Sequence, residues 1–180
     1  QSSLPEVRGY EKRLNALSAK LAPMADLSLA VLGGDLKKAE LLSARLGDIM
    51  SYLYGAMAAI RFYEQRIEDR QQAKPYFDYA MQWSLQQAEQ ALVNFVRNFP
   101  NTPTRGLMRL LTATYSGSVS TISDDLIREL SMAALQDNSV KAQLTHLVQP
   151  VAGDGNDINE QAFKAKHKVL PLLGKVQKAL

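Results

Sequence analysis

The residues that could do chemistry in this chain are few and poorly grouped. Two histidines, His146 and His167, are separated by a predicted loop. A zinc or di-iron site inside a helical bundle needs several inward-facing carboxylates and histidines, typically spaced Glu-x-x-His. Neither Glu-x-x-His nor His-Glu-x-x-His occurs. The acidic stretch Asp154, Asn156, Asp157 and Glu160 resembles a calcium loop only at first sight. Its fifth position is Ile158, its sixth is Asn159 instead of glycine, and its twelfth is Ala165, so the sharp turn and the bidentate ligand are both missing. Without cysteine there are no disulfides, thiolate ligands or thiol nucleophiles, a composition compatible with a reducing compartment. No Gly-x-Ser-x-Gly elbow or partnered Ser-x-x-Lys set supplies an activated serine. The pair Gly33-Gly34 lacks the G-x-G-x-x-G or Walker lysine context of a phosphate loop. The expectation is therefore no catalytic, cofactor-binding or metal-binding residue in this chain.

Helices must position whatever these residues do. Ala39, Leu42, Leu46, Ile49, Leu53, Ala56, Ile60, Tyr63 and Ile67 alternate spacings of three and four, the seam of one helix of about eight turns in an antiparallel bundle. A second stripe, Gly47, Met50, Tyr54 and Met57, predicts that this helix has neighbours on two sides. Upstream, Val7, Tyr10, Leu14, Leu17, Leu21 and Met24 repeat the pattern; Pro23, which removes a backbone donor, is expected to break it and leave a shorter helix over 25–32. The Gly33, Gly34, Asp35 corner is expected to close one helix with a left-handed glycine and cap the next with the aspartate. Downstream, Phe77, Met81, Leu85, Ala88, Leu92, Phe95 and Phe99 mark a second long helix, starting near Pro75 and stopping at Pro100, with the polar segment 68–74 as the return.

Beyond Pro100 the signal shortens. Leu107, Leu110 and Leu111 suggest one short helix, residues 115–121 a small-residue loop, and Ser123, Asp124 and Asp125 a capped start ahead of Leu126, Ile127, Leu130 and Ala134. Further short helices are expected over 139–148 and 159–170, with a loop at 153–157 between them and Pro171 ending the last. No segment alternates as a strand does. The fold class is all-α: an up-and-down four-helix bundle with extra short C-terminal helices. Residues 1–100 form the main hairpins and 101–180 the shorter helices that complete or flank them, one domain overall.

The totals fit that architecture. The 180 residues suit one core, and the 46% hydrophobic and 22% charged content is that of a globular chain. A net charge of +3, from 21 basic and 18 acidic residues, is too small to build a phosphate-binding face unless clustered, so nucleic acid is not an expected partner. No signal peptide is recognised over residues 1–20. No run approaches the roughly 20 apolar residues that span a bilayer; the longest candidate, residues 53–60, ends at Arg61. The chain begins at Gln1 and reads as a piece of a longer, cytoplasmic protein. Aromatic residues concentrate around the central hairpin, where Tyr52, Phe62, Tyr76 and Tyr79 fall off the main seams and are candidates to meet another domain. In the tail, Lys164, Lys166, Lys168, Lys175 and Lys178 alternate with apolar residues, either as a solvated terminal helix or as a face for anionic lipid.

Two stretches carry a resemblance. Leu-Ala-Pro-Met-Ala-Asp-Leu-Ser-Leu-Ala-Val-Leu-Gly-Gly-Asp-Leu-Lys-Lys at 21–38 and Ser-Ala-Arg-Leu-Gly-Asp-Ile-Met-Ser-Tyr-Leu-Tyr at 43–54 look like the C-terminal helical extension of the bacterial FadE-type acyl-CoA dehydrogenases. Ala88-Glu89-Gln90-Ala91 and Asn98-Phe99-Pro100-Asn101 extend the likeness. The second stretch is also similar to the extra helical domain of mitochondrial very-long-chain enzymes, a degenerate copy of the catalytic helical domain that serves membrane association and dimer architecture. The resemblance implies a non-catalytic accessory domain. Its parent would carry FAD, oxidise fatty acyl-CoA to trans-2-enoyl-CoA in the first step of β-oxidation, and pass electrons to an electron-transfer flavoprotein. The implied partners of this domain are the catalytic core of the same polypeptide, a second copy in a homo-oligomer, and the inner membrane as a peripheral contact. The flavin and the glutamate base of the family belong to the core, so the resemblance assigns no site residue here. The alternative is a free-standing helical adaptor for a protein partner or a membrane surface.

Overall fold

The computed structural model describes residues 4–113, 121–136 and 139–145. Every regular element among them is helical: α1 (Pro5–Leu32), a short 3-10 turn (Gly33–Lys37), α2 (Glu40–Gln65), α3 (Arg70–Arg97), α4 (Thr102–Leu111), α5 (Asp124–Leu135) and α6 (Ser139–Thr145). The chain divides into two compact units, one through Leu130 and one from Ser131 onward. The first holds three long helices and α4. The second includes α6, in which Val140 is buried.

In the first unit α2 and α3 form the principal pair, and the three-four seam explains why. Leu42, Ile49, Leu53, Ala56, Ile60, Tyr63 and Ile67 are buried, opposite Phe77, Met81, Leu85, Ala88, Leu92, Phe95 and Phe99 on and just beyond α3, all buried as well. The pairing is antiparallel: Tyr63 stacks on Phe77 at 4.1 Å between ring centres, while Tyr52, further back along α2, meets Trp83, further along α3, edge-on at 5.5 Å. Helix α1 runs parallel to α3, because Tyr10 reaches Phe77 and Asp78 while Arg13 reaches Glu89. Up, down and up follow in chain order. The short α4 packs on α1 and α3, completing the bundle that the periodicity implies.

Several local expectations change. Pro23 does not divide α1, which is continuous from Pro5 to Leu32. Proline removes one amide bond to the carbonyl four residues back; that residue, Ala19, and Pro23 both face solvent, where water can satisfy the orphaned oxygen. Likewise Pro75 lies inside α3 and does not start it. Asp69 does so, its side chain accepting from the Gln72 amide at 3.0 Å. The connection to α2 is thereby shortened to residues 66–69. At the first corner, Gly33 closes α1 with φ of 51° and its amide bonds the Leu29 carbonyl, a conformation that glycine reaches without a Cβ clash. Asp35 does not cap α2. It pairs with Lys38, and the Ser43 hydroxyl donates to the Leu36 carbonyl to tie the turn to the helix.

The short helix suggested by Leu107, Leu110 and Leu111 is α4, which turns Met108 inward and leaves those three leucines exposed. Asn101 caps it, accepting from the Thr104 amide at 3.0 Å. The Ser123 cap stands as expected, receiving the Leu126 amide at 3.2 Å, although Ile127 is exposed and Leu126 buried. Residues 115–120, the part of the 139–148 helix after Thr145, both histidines, the acidic loop, the 159–170 helix and the lysine tail lie outside the described residues. One expectation about membranes is corrected. The helical stretch Pro5–Lys37 contains an 18-residue window of mean hydropathy 1.3, long and apolar enough to cross a bilayer by length and composition, with only 17% of it buried. Alanines and isolated leucines build that value in place of one unbroken greasy run, and Val7, Leu14, Leu17, Met24 and Ser28 still form an inward stripe.

Phe77 is the contact shared by all three long helices. Phe77→Ala is expected to cost about 3 to 5 kcal/mol of unfolding free energy, and Phe77→Leu clearly less. Urea denaturation of both variants checks this, and equal losses would mean that the ring contacts, and not the volume they fill, carry the whole effect.

Candidate functional site

The polar groups of the bundle interior form a seam between α1 and α3. On α1, Tyr10 and Arg13 are one turn apart; on α3, Asp78, Gln82 and Glu89 share a face by spacings of four and seven. Tyr10 donates from its hydroxyl to Asp78 Oδ1 at 3.1 Å and accepts from Gln82 Nε2 at 3.3 Å. Lys74 pairs with the other Asp78 oxygen from one turn back. Three turns along, the Arg13 guanidinium grips Glu89 with two bonds of 2.8 Å, Nε to Oε1 and Nη2 to Oε2. Glu89 is only 2% exposed. A buried carboxylate is tolerated when it is paired and hydrogen-bonded in this fork geometry.

This arrangement ties α1 to α3 in one register. Both oxygens of each acid are engaged, and neither acid lines either of the two grooves described below. Burial pushes the Tyr10 hydroxyl up to about 12, the nearby Asp78 charge adding to the effect against the Gln82 bond. Tyr63 is raised by burial too. Burial lowers Lys20, and the Glu89 charge opposes that shift.

The second feature lies outward. Met50, Tyr54 and Met57, the stripe expected to face another neighbour, are 61%, 72% and 48% exposed, so within the described fold α2 is covered on one side only. Its C-terminal end forms an open groove of about 420 Å³ lined by Tyr54, Met57, Ala58, Arg61, Phe62 and Arg66 among others. Another open groove, of about 550 Å³, lies where Lys38, Glu40, Leu41 and Arg45 meet Asn98 and Pro100. Of the off-seam aromatics, Phe62 lines the first groove, Tyr52 packs on Trp83, and Tyr76 and Tyr79 are half-buried. Tyr54, assigned to a helix neighbour by its spacing, is far more exposed than any of them.

Neither groove fits a flavin. Each is open to solvent along the bundle's outer surface, and their walls offer no enclosed slot for an aromatic ring system and its diphosphate. Among the described residues no three His, Cys, Asp or Glu side chains converge to hold a metal ion. Sequence reasoning passed over Asp78 and Glu89. The available signal was a carboxylate on an otherwise apolar helix face, with Tyr10 and Arg13 at matching positions on another.

Fold and surface together define a helical bundle domain whose interior charges are internally paired and whose central helix keeps an apolar face open. The chain belongs to the family described as acyl-CoA dehydrogenase, C-terminal, bacterial type, which it matches over residues 2–180. No solved structure matches it.

Two outcomes test the seam. Arg13→Met strands the Glu89 charge and is expected to lose about 3 to 5 kcal/mol, whereas adding Glu89→Leu should recover most of it; chemical denaturation of the singles and the double measures the coupling. For Tyr10, the folded hydroxyl titrates above its ordinary value near 10. Its share of stability is therefore complete below pH 10 and lost as the pH climbs through about 12. Tyr10→Phe should flatten the stability profile across that window, and superimposable profiles would exclude the linkage.

Proposed function

We propose that this chain is the non-catalytic accessory domain of an FAD-dependent acyl-CoA dehydrogenase. The catalytic portion, elsewhere in the same polypeptide, oxidises the Cα–Cβ bond of a fatty acyl-CoA to the trans-2-enoyl-CoA and delivers the electrons to an electron-transfer flavoprotein. The family match over residues 2–180 carries this reading. The bundle interior supports it: its buried acids hold helices together and have no free oxygen to take a proton from a substrate. The role left to the domain is mechanical, namely to cover or position the catalytic portion and support self-association. The low burial of the apolar window within Pro5–Lys37 supports a peripheral contact with the inner membrane as well.

A second reading, a free-standing helical adaptor, is favoured by one observation, the bare stripe Met50, Tyr54 and Met57. The natural protein containing this chain separates the two. Purified whole, it is expected to be yellow and to lose its flavin absorbance when a fatty acyl-CoA is added without an acceptor. A colourless protein with no dehydrogenase portion would favour the adaptor, and stoichiometric flavin on residues 1–180 alone would overturn the accessory assignment.

A further inference from the structure

Exposed apolar side chains on a helix at three-four spacing match the knobs and holes of another helix. Met50, Tyr54 and Met57 have that spacing and lead into the groove at the end of α2, where Phe62 and Ala58 continue the apolar floor. The lining is charged in one sense only. Arg61 and Arg66 stand at the rim, no carboxylate lines the groove, and neither guanidinium is ion-paired with a carboxylate among the described residues. This contrasts with Arg13, which is forked onto an acid. Covering the floor would strip water from both cations unless the covering element brings its own anions.

Resting on the accessory-domain reading, we propose that this groove receives an amphipathic helix from the catalytic portion of the same polypeptide. That helix lays apolar side chains against Tyr54, Met57 and Phe62 and pairs carboxylates with Arg61 and Arg66. A second copy of this chain fits poorly, since joining two such grooves gathers four guanidinium groups with no lining carboxylate to separate them. An anionic bilayer would also meet the two arginines, and the vesicle arm of the test below separates it from a helix.

Zero-length carbodiimide coupling of the whole parent protein tests the assignment. The lysines introduced by Arg61→Lys and Arg66→Lys keep the charge while supplying an amine that can be joined directly to a carboxylate. The expected result is a peptide linking position 61 or 66 to an aspartate or glutamate of the catalytic portion, with at least a tenfold lower yield when Tyr54→Ser and Met57→Ser are added. A sample mixed from isotopically light and heavy chains shows whether the link stays within one polypeptide. Links confined to residues 1–180 of a second copy would overturn the proposal. So would the absence of any such link while both lysines acetylate as fast as free surface amines, or protection of those lysines only when anionic vesicles are added. Dehydrogenase activity of the unaltered parent reports separately on the accessory-domain reading: an active parent without the link sinks the docking assignment alone.

Discussion

Phe77 sits where three helices meet, and its ring is in contact on two sides: Tyr63 of α2 lies flat against it and Tyr10 of α1 meets it edge-on. Both geometries suit the quadrupole of an aromatic ring. Because Tyr63 and Tyr10 come from helices of opposite direction, the two contacts set the stagger of α2 and of α1 against α3 at the same level of the bundle. Once that level is fixed, the seams above and below it interlock by spacing alone. Tyr10 also turns its hydroxyl to Asp78, the residue after Phe77. The aromatic cluster and the polar seam are thus one device seen from two faces.

The polar part of that device earns its place by specificity. Apolar stripes with a repeat of three and four tolerate a shift of one turn, because leucine and alanine can exchange partners at modest cost. A forked Arg13–Glu89 pair does not tolerate it. Sliding α1 by a turn would leave a carboxylate that is 2% exposed without its cation, a loss of several kcal/mol. Hydrophobic packing supplies the attraction between α1 and α3, and the ion pair selects one register from those that packing alone allows.

The long helices were legible from spacing because a seam sustained over seven turns averages out single exceptions, and each named seam residue of α3 is buried. Prolines misled for a related reason. Pro23 and Pro75 are strong local signals, but a missing amide on a solvent-facing or early turn is a small deficit beside the packing of a 28-residue helix. In α4, ten residues give too few turns for periodicity to choose between Leu107, Leu110 and Leu111 on one side and Met108 on the other. Asp35 shows the limit of cap reading: its carboxylate was taken by Lys38, and the 3-10 turn carried the chain past the point where it could serve α2.

The α2 stripe bears on function because its pattern and its surroundings disagree. Spacing implied a second neighbour, and the described fold leaves Met50, Tyr54 and Met57 in solvent. Isolated exposed apolar residues are ordinary on protein surfaces, but these lie in a row at helix-packing intervals that ends beside two arginines paired with no carboxylate among the described residues. The sequence pattern and the bundle geometry agree if the missing neighbour is supplied by another part of the protein. In a family defined as the C-terminal part of an acyl-CoA dehydrogenase, the same seam chemistry that joins α2 to α3 would then join this domain to the rest of the enzyme. On that proposal the paired buried acids among the described residues and the exposed seam of α2 belong to one division of labour, in which the polar groups set the bundle's own register and the remaining apolar face is left for a partner.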